Sequence, residues 1–241
     1  MPCAPPFRPV FVLLGLLALT ACGGAPPGPP PSATSAARAA DPDFDQMMRV
    51  ARSTAAAGDY GAAIPLYRRA QSLAPDRPEP SLALGALAWD VGDAEASLHA
   101  YQAALNAAPK EAEALRGAGR AELALGRIPA ALASYRAGLA VAPTDVRLHN
   151  GLAVALDRSG DHQAALRTFG EGLAIAPNDL DLRGNLGLSH ALHDEFEQAL
   201  PLLEAVAADP RAGERQRANL QPARDLQAKA AAKPAPSASA P

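Results

Sequence analysis

Two histidines near the end of the sequence have a spacing that suits metal binding. His190 and His193 lie three residues apart in a helical pattern, and Asp194 and Glu195 follow them directly. Two imidazoles and a carboxylate on one helix face could supply most of a zinc coordination sphere. The competing interpretation is structural, because His190 holds a position that normally packs inward and Asp194 falls in a turn. We favour the structural interpretation and predict no metal site and no cofactor. The other histidines are isolated in the sequence and are weaker candidates: His99, His149 and His162.

No other pattern in the sequence indicates catalysis. The Arg116–Glu122 segment, RGAGRAE, contains a Gly-x-Gly, but Glu122 stands where a dinucleotide fingerprint needs its third glycine, and no strand precedes it. Neither a G-K-[ST] phosphate loop nor a G-x-S-x-G nucleophile motif occurs. The formal charge is −3 and basic runs are missing, so nucleic acid is not expected as a partner. The sequence predicts no catalytic residue and no enzyme.

Four series of residues recur with a period of 34 residues and share one phase. Each repeat is predicted to be two helices joined by a tight turn, in which glycine supplies the left-handed backbone. A small residue lets the two helices approach, an aromatic residue fills the space between repeats, and a proline ends the second helix. The series are Gly58, Gly92, Gly126 and Gly160, then Asp194; Ala63, Ser97, Ala131, Ala165 and Ala199; Tyr67, Tyr101, Tyr135 and Phe169; and Pro75, Pro109, Pro143 and Pro177.

This period and residue set resemble the tetratricopeptide repeat (TPR). The resemblance implies an all-α fold, a right-handed superhelical solenoid of about five helix-turn-helix repeats with a C-terminal capping helix. A cap is expected because the last repeat of a solenoid would otherwise expose its apolar face. The TPR domain is predicted at 43–229, with repeats at about 44–77, 78–111, 112–145, 146–179 and 180–213, and the cap at 214–229.

The residues before the repeats have the layout of an export signal. Residues 1–21 contain a short apolar run that is too short for a permanent membrane span. The sequence LTAC that ends at Cys22 resembles the bacterial lipobox, which predicts cleavage before this cysteine and lipidation of its thiol. The alternative is an ordinary export signal that happens to end near a cysteine. Residues 22–42 are predicted to be a flexible tether rich in Pro, Gly and Ala, and residues 230–241 a disordered tail.

A lipid anchor at Cys22 predicts a protein of the cell envelope. Gly23 and Gly24 follow the cysteine, in place of the Asp that retains lipoproteins at the inner membrane of some bacteria. We therefore expect an outer-membrane protein that faces the periplasm. Cys3 would leave with the signal peptide and Cys22 would be acylated, so no thiol would remain for disulfides, catalysis or metal binding.

The first helix of each repeat lines the concave face in TPR proteins, and that face usually binds the ligand. Trp89 is the only tryptophan of the chain, and Arg116 and Arg120 lie one helical turn apart. Together with Asn150, the two arginines could hold a peptide backbone or a carboxylate. The alternatives are a tryptophan packed between helices and arginines that are simply solvated. The tentative groove consists of Trp89, Arg116, Arg120, Arg147, Asn150 and Asp157.

Three short motifs in the second half of the chain resemble a more specific family. They are Asn-Gly-Leu from Asn150, Asn-Leu-Gly-Leu-Ser from Asn185, and Arg-x-Arg-x-Asn-Leu from Arg215. Over roughly 148–220 the sequence resembles the TadD lipoproteins of the tight-adherence (Flp) pilus machinery. The resemblance implies a non-enzymatic assembly factor that helps the outer-membrane pilus secretin reach its place or assemble. The bound partner would then be a peptide segment of a secretin or of another pilus component.

Other functions are open at this stage. Family members tend to continue past Asn-Leu into further helix, whereas Gln221-Pro222 and a short tail follow here, which leaves room for a paralogue with another client. A general periplasmic scaffold for cell-envelope assembly would be built from the same parts. A metal-dependent enzyme that uses His190 and His193 is the remote alternative.

Overall fold

Short turns divide the chain into helices that pair along the sequence. The computed structural model describes residues 42–232. Consecutive helices form five hairpins, α1 with α2 through α9 with α10, which confirms the all-α solenoid of helix-turn-helix repeats. The helices are α1 (Pro42–Ala56), α2 (Tyr60–Leu73), α3 (Glu79–Asp90), α4 (Ala94–Ala107), α5 (Ala112–Ala124), α6 (Ile128–Val141), α7 (Val146–Arg158), α8 (His162–Ile175), α9 (Leu180–Leu192), α10 (Phe196–Ala208), α11 (Glu214–Ala218) and α12 (Leu220–Ala231).

The predicted signal peptide, Cys22 and nearly all of the predicted tether lie outside the described residues, as does most of the predicted tail. Within residues 42–232, no helix combines the length and the apolar character that a membrane span requires.

The turn inside each hairpin has the left-handed backbone that the sequence predicts. The glycines at 58, 92, 126 and 160 have φ between 71° and 89°. Asp194 takes the same turn in the fifth hairpin with φ of 62°. Glycine adopts this conformation without steric penalty, whereas Asp194 adopts it against a moderate one.

Aspartates directly after these turns start the second helices. The carboxylates of Asp59, Asp93 and Asp161 accept a hydrogen bond from the backbone N–H three residues later, at 2.9, 2.9 and 3.1 Å. Each such N-cap satisfies a donor that the first turn of a helix leaves free. The fifth hairpin has Glu195 at this position, and its side chain does not cap α10.

The core lies between the two helices of each hairpin and between neighbouring hairpins. The small residue of each repeat is fully buried, as predicted, and the Ser97 hydroxyl donates to the carbonyl of Gly85 at 2.8 Å. The aromatic series is buried as well, with Tyr135 3% and Phe169 1% exposed. Close helix contact and large apolar side chains therefore alternate along the solenoid, which stabilises each repeat against the next.

Two tyrosines pack against glycines on the helices before and after them. Tyr101 on α4 lies between Gly85 and Gly117, and Tyr135 on α6 lies between Gly119 and Gly151. A Cβ atom at residue 85 or 119 would stand 2.9 or 3.0 Å from the ring, and one at residue 117 or 151 would overlap it. We call these two sets the tyrosine junctions. Their glycines are required because the ring fills the space of a side chain.

The closing segment consists of two helices, α11 and α12, where the sequence suggests one. Asn219 lies between them. Asp181 on α9 accepts hydrogen bonds from Arg215 at 2.6 Å and from Gln216 at 3.0 Å, which holds α11 against the last repeat. Helix α12 covers the apolar face of α10 with Ala223 and its neighbours. Pro222 falls in the first turn of α12, where its missing N–H removes no helical hydrogen bond, so the chain does continue as helix past Gln221-Pro222.

Candidate functional site

The first helices of the repeats form one continuous side of the solenoid. Helices α3, α5, α7 and α9 contact one another in sequence order, whereas the described second helices α2, α4, α6, α8 and α10 contact mainly the first helices on either side. Elements are more closely spaced on the inner side of a curved stack than on its outer side. The first helices therefore line the concave face.

Trp89 and Arg120 lie together on this face. The guanidinium carbon of Arg120, on α5, stands 4.0 Å from the centroid of the Trp89 ring, on α3. Both side chains are half-buried. A guanidinium stacked on an indole is attracted by the negative face of the ring and is held in one orientation. The pair forms an ordered, positively charged patch that spans the second and third repeats.

Arg116 extends this patch along α5. Its Nε atom lies 3.9 Å from the Asp145 carboxylate, which is too far for a hydrogen bond. The Nε atoms of Arg116 and Arg120 are both buried and have no hydrogen-bond acceptor within residues 42–232. A buried donor without an acceptor is unfavourable by roughly 1–3 kcal/mol. The two Nε–H groups therefore add no hydrogen bond to the fold within residues 42–232.

The aromatic residues beneath the arginines stay uncharged. Burial raises the pKa of Tyr101 and of Tyr135, and the nearby Arg120 opposes the rise in both. The tyrosines are therefore neutral hydroxyl groups at physiological pH. The charge of this patch comes from the arginines.

The other groove residues are spread along the concave face. The amide of Asn185, on α9, donates to the Asn150 side chain, on α7, at 2.9 Å. Arg147 is exposed at the start of α7. Asn150 is therefore paired with the next repeat. Within residues 42–232 it makes no hydrogen bond to Arg116 or Arg120.

Asp157 belongs to a different group of side chains at the end of α7. Its Oδ1 atom lies 2.9 Å from Nδ1 of His162 and 3.0 Å from Nε2 of His193. The two imidazole rings are stacked, with centroids 3.6 Å apart and planes inclined by 23°. Asp157 and His162 are each only 11% exposed. One carboxylate oxygen therefore orients two histidines from different repeats.

Glu195 joins the same group from the turn before α10. Its Oε2 atom lies 2.5 Å from Nδ1 of His190 and 3.4 Å from Nε2 of His162. These contacts, the hydrogen bond to His190 first, lower the pKa of the Glu195 carboxyl. The rings of His162 and His190 are almost perpendicular, at 83°. We call the set of five residues the histidine cluster: Asp157, His162, His190, His193 and Glu195.

The prediction that His162 is isolated is wrong. His162 lies at the centre of the histidine cluster, because the turn after α7 brings the start of α8 beside the end of α9. Asp194, which the sequence places near the two histidines, is exposed in its turn and is not part of the cluster. The signal that could have found His162 is its position directly after the repeat turn, one repeat before Phe196.

Comparison with known sequences agrees with this architecture. The profile of the tetratricopeptide repeat matches residues 82–146, 116–181 and 150–215, which together cover more than half of the chain. The chain belongs to the tetratricopeptide repeat family. TPR proteins bind peptide or protein partners and generally act as interaction scaffolds without enzymatic activity. No curated protein matches the sequence.

Several solved TPR structures share the fold at low sequence identity. MamA from Desulfovibrio magneticus RS-1 is 18% identical, with a TM-score of 0.63 over 72% of this chain and 98% of its own. The thermophilic TPR protein TTC0263 from Thermus thermophilus is 19% identical, with a TM-score of 0.62 over 75% and 98%. YrrB, described as a TPR protein with an unusual peptide-binding site, is 18% identical, with a TM-score of 0.59 over 82% and 96%. At these identities the similarity shows the fold alone.

Proposed function

We propose that the protein is a membrane-anchored TPR scaffold that binds a segment of another protein in its concave face. The observation that carries this proposal is the arginine patch of α5. Arg116 and Arg120 are half-buried, one is stacked on Trp89, and each has a buried Nε–H without an acceptor within residues 42–232. The accessible terminal nitrogens of these guanidinium groups can donate to peptide carbonyls and carboxylates.

The form of the patch favours an extended peptide as the ligand. The TPR fold presents its concave face as a preformed surface, so little conformational entropy is lost on binding. Arg120 is held by Trp89 on the preceding repeat, and Asn150 is held by Asn185 on the following repeat. A peptide that runs across α3, α5 and α7 would meet these groups in turn. A peptide-binding site is also what YrrB is described as having.

We further propose that the client belongs to the Flp pilus machinery, with the pilus secretin as first candidate. The support is the sequence resemblance to TadD lipoproteins. Two of the residues that carry it have structural roles, since Arg215 holds α11 to Asp181 and Asn185 donates to Asn150. The resemblance therefore supports a shared scaffold more directly than a shared client. Lipidation of Cys22 and a periplasmic position at the outer membrane complete the proposal.

A double charge reversal tests the groove. Arg116→Glu with Arg120→Glu should lower capture of the partner from crosslinked membranes at least about 10-fold, because each charged hydrogen bond lost weakens binding by more than about 1.4 kcal/mol. The control is Arg136→Glu with Arg167→Glu, which makes the same charge change at exposed positions on α6 and α8. Equal capture by both variants would refute the groove.

Mass spectrometry of the captured partner tests the client. A secretin or another pilus component supports the pilus assignment. A partner from general envelope assembly, captured through the same arginines, would replace that client and leave the groove in place. Genes for a pilus ATPase and a secretin beside this one would favour the first outcome.

Fractionation tests the anchor. Cys22→Ala should move the protein from the membrane to the soluble fraction, because acyl chains supply the membrane affinity. Cys3→Ala is the matched control and should leave the distribution unchanged. If Cys22→Ala stayed with the membrane, lipidation would not be the anchor.

A further inference from the structure

The histidine cluster contains a set of donor atoms that the groove does not use. It joins the fourth repeat to the fifth through α8, α9 and the turn before α10. One ligand atom each from His162, His190 and Glu195 lies within 4.8 Å of the other two. We propose that these three side chains bind one divalent transition-metal ion of the zinc type, with Asp157 as a positioning residue.

The tautomer of His162 gives the first argument. Asp157 accepts a hydrogen bond from Nδ1–H of His162 at 2.9 Å. With its proton on Nδ1, the neutral ring has a lone pair on Nε2, and that atom faces the Glu195 carboxylate at 3.4 Å. A lone pair and a carboxylate oxygen repel unless a proton or a metal cation lies between them, so a metal ion can take the place that a proton on Nε2 would otherwise fill. A carboxylate that holds one nitrogen of an imidazole whose other nitrogen binds metal is a common arrangement around zinc.

The distances and ring planes fit this ligand set. Zinc–nitrogen bonds of about 2.0 Å in a tetrahedral site place neighbouring ligand atoms about 3.3 Å apart. Glu195 Oε2 and His162 Nε2 already stand 3.4 Å apart, and His190 Nδ1 needs to withdraw by less than about 1 Å from its 2.5 Å contact. The two rings are nearly perpendicular, so both nitrogens can point at one ion.

His193 does not suit the same ion. Its ring is stacked on that of His162 with planes inclined by 23°. Lone pairs in the planes of two stacked rings run side by side and do not converge. His193 therefore packs on His162 and donates to Asp157.

The position of Glu195 gives the second argument. It occupies the N-cap position of α10. At the same position in α2, α4 and α8, the carboxylates of Asp59, Asp93 and Asp161 cap the helix. Glu195 makes no such cap, and its carboxylate instead contacts His162 and His190. Loss of an N-cap destabilises a helix, so the longer side chain lowers the local stability of α10 in order to contact the cluster. A bound ion would restore that stability, because it would link α8, α9 and α10.

Zinc binding to the full-length chain, purified without a polyhistidine tag and stripped with a chelator, tests the proposal. We expect one equivalent of Zn²⁺ in a titration against a competing chelator, and a rise in melting temperature on binding. Glu195→Asp is the decisive variant. It should lose the zinc and the thermal shift, while its metal-free melting temperature equals or exceeds that of wild type because aspartate can cap α10.

Further variants separate the ligand set from its neighbours. His190→Gln should abolish stoichiometric binding, whereas His99→Gln, a control at an exposed histidine of α4, and His193→Gln should retain one equivalent. Asp157→Asn should lower the zinc affinity about 10–100-fold at unchanged stoichiometry. The proposal is overturned if wild type binds no zinc, if Glu195→Asp binds it equally well, or if His193 and not His190 is required. Since the groove variants do not touch these residues, this result is independent of client capture.

Discussion

The tyrosine junctions and the histidine cluster join consecutive repeats in opposite ways. At the tyrosine junctions a buried ring lies against glycines, and the contact is made by shape. At the junction of the fourth and fifth repeats, Asp157, His162 and Glu195 form a partly buried polar network. The first arrangement uses residues that recur with the repeat period, and the second uses residues that occur once.

The difference shows which positions in the solenoid are free to change. The turn, small and aromatic positions define the hairpin and are kept through five repeats or nearly so. The ends of the first helices and the starts of the second are less constrained. Glu122 and His190 share one position two periods apart, and the first accepts from Ser134 while the second contacts Glu195. Specific chemistry is therefore added at the hairpin ends, where it leaves the packing intact.

Removal of a tyrosine ring should have the largest effect. Tyr135→Ala leaves a cavity between α5, α6 and α7 and should lower the free energy of unfolding by about 3–5 kcal/mol. Tyr135→Phe keeps the ring and should change it by less than about 1 kcal/mol. Urea denaturation followed by circular dichroism measures both. A small loss for the alanine variant would mean that shape does not hold this junction.

Filling the glycine space should have the next largest effect. In Gly151→Ala the new methyl group overlaps the Tyr135 ring, so the free energy of unfolding should fall by about 1–3 kcal/mol. Gly170→Ala is the matched control, because no atom lies within 4 Å of its Cβ position on α8. That variant should gain up to about 1 kcal/mol from helix propensity. A loss of stability in Gly151→Ala together with a gain in Gly170→Ala would support a junction made by shape. A gain in both variants would contradict it.

A substitution in the turn of the fifth hairpin should change the free energy of unfolding by about 1 kcal/mol. Asp194→Gly relieves a left-handed backbone with φ of 62° and should raise the melting temperature. The reverse change, Gly160→Asp, introduces the same penalty one repeat earlier and should lower it. Thermal denaturation of both variants at neutral pH measures the pair. If Asp194→Gly destabilised the chain, the aspartate side chain would have a role that the turn does not explain.

Substitution of Glu122 should have the smallest effect on stability, and that effect should depend on pH. It accepts a hydrogen bond from Ser134 at 2.7 Å, and burial raises its pKa. A raised pKa means that its contribution to stability is full below the pKa of the unfolded chain and is lost as pH rises through the folded value. Glu122→Gln keeps the acceptor without the charge, so it should stabilise the protein by up to about 1 kcal/mol at pH 7.

That gain should disappear as the pH falls and Glu122 becomes protonated. Melting temperatures of wild type and Glu122→Gln across the acid range provide the measurement. A difference that stays constant with pH would mean that the glutamate charge is not the cause.

The period of the sequence was sufficient to predict the repeats and their core. The left-handed turns, the buried small residues and the buried aromatics all lie where the 34-residue series place them. Trp89 and Arg120 were both assigned to the tentative groove, but the stacking of one on the other was not predicted. The break between α11 and α12 was not predicted, because Asn219 keeps ordinary helical angles and its side chain makes no capping hydrogen bond.

The sequence by itself determined the stacked hairpins, because in a solenoid each repeat contacts only its neighbours and a fixed spacing repeats the same contacts. Only the tertiary structure decided that His162 meets His190 and Glu195, and that Asp157 contacts His162 and His193. Those contacts depend on where single side chains at the hairpin ends point after the turns have formed. A pattern of residue types fixes which helices pack together, whereas the convergence of a few polar atoms depends on distances of about an ångström.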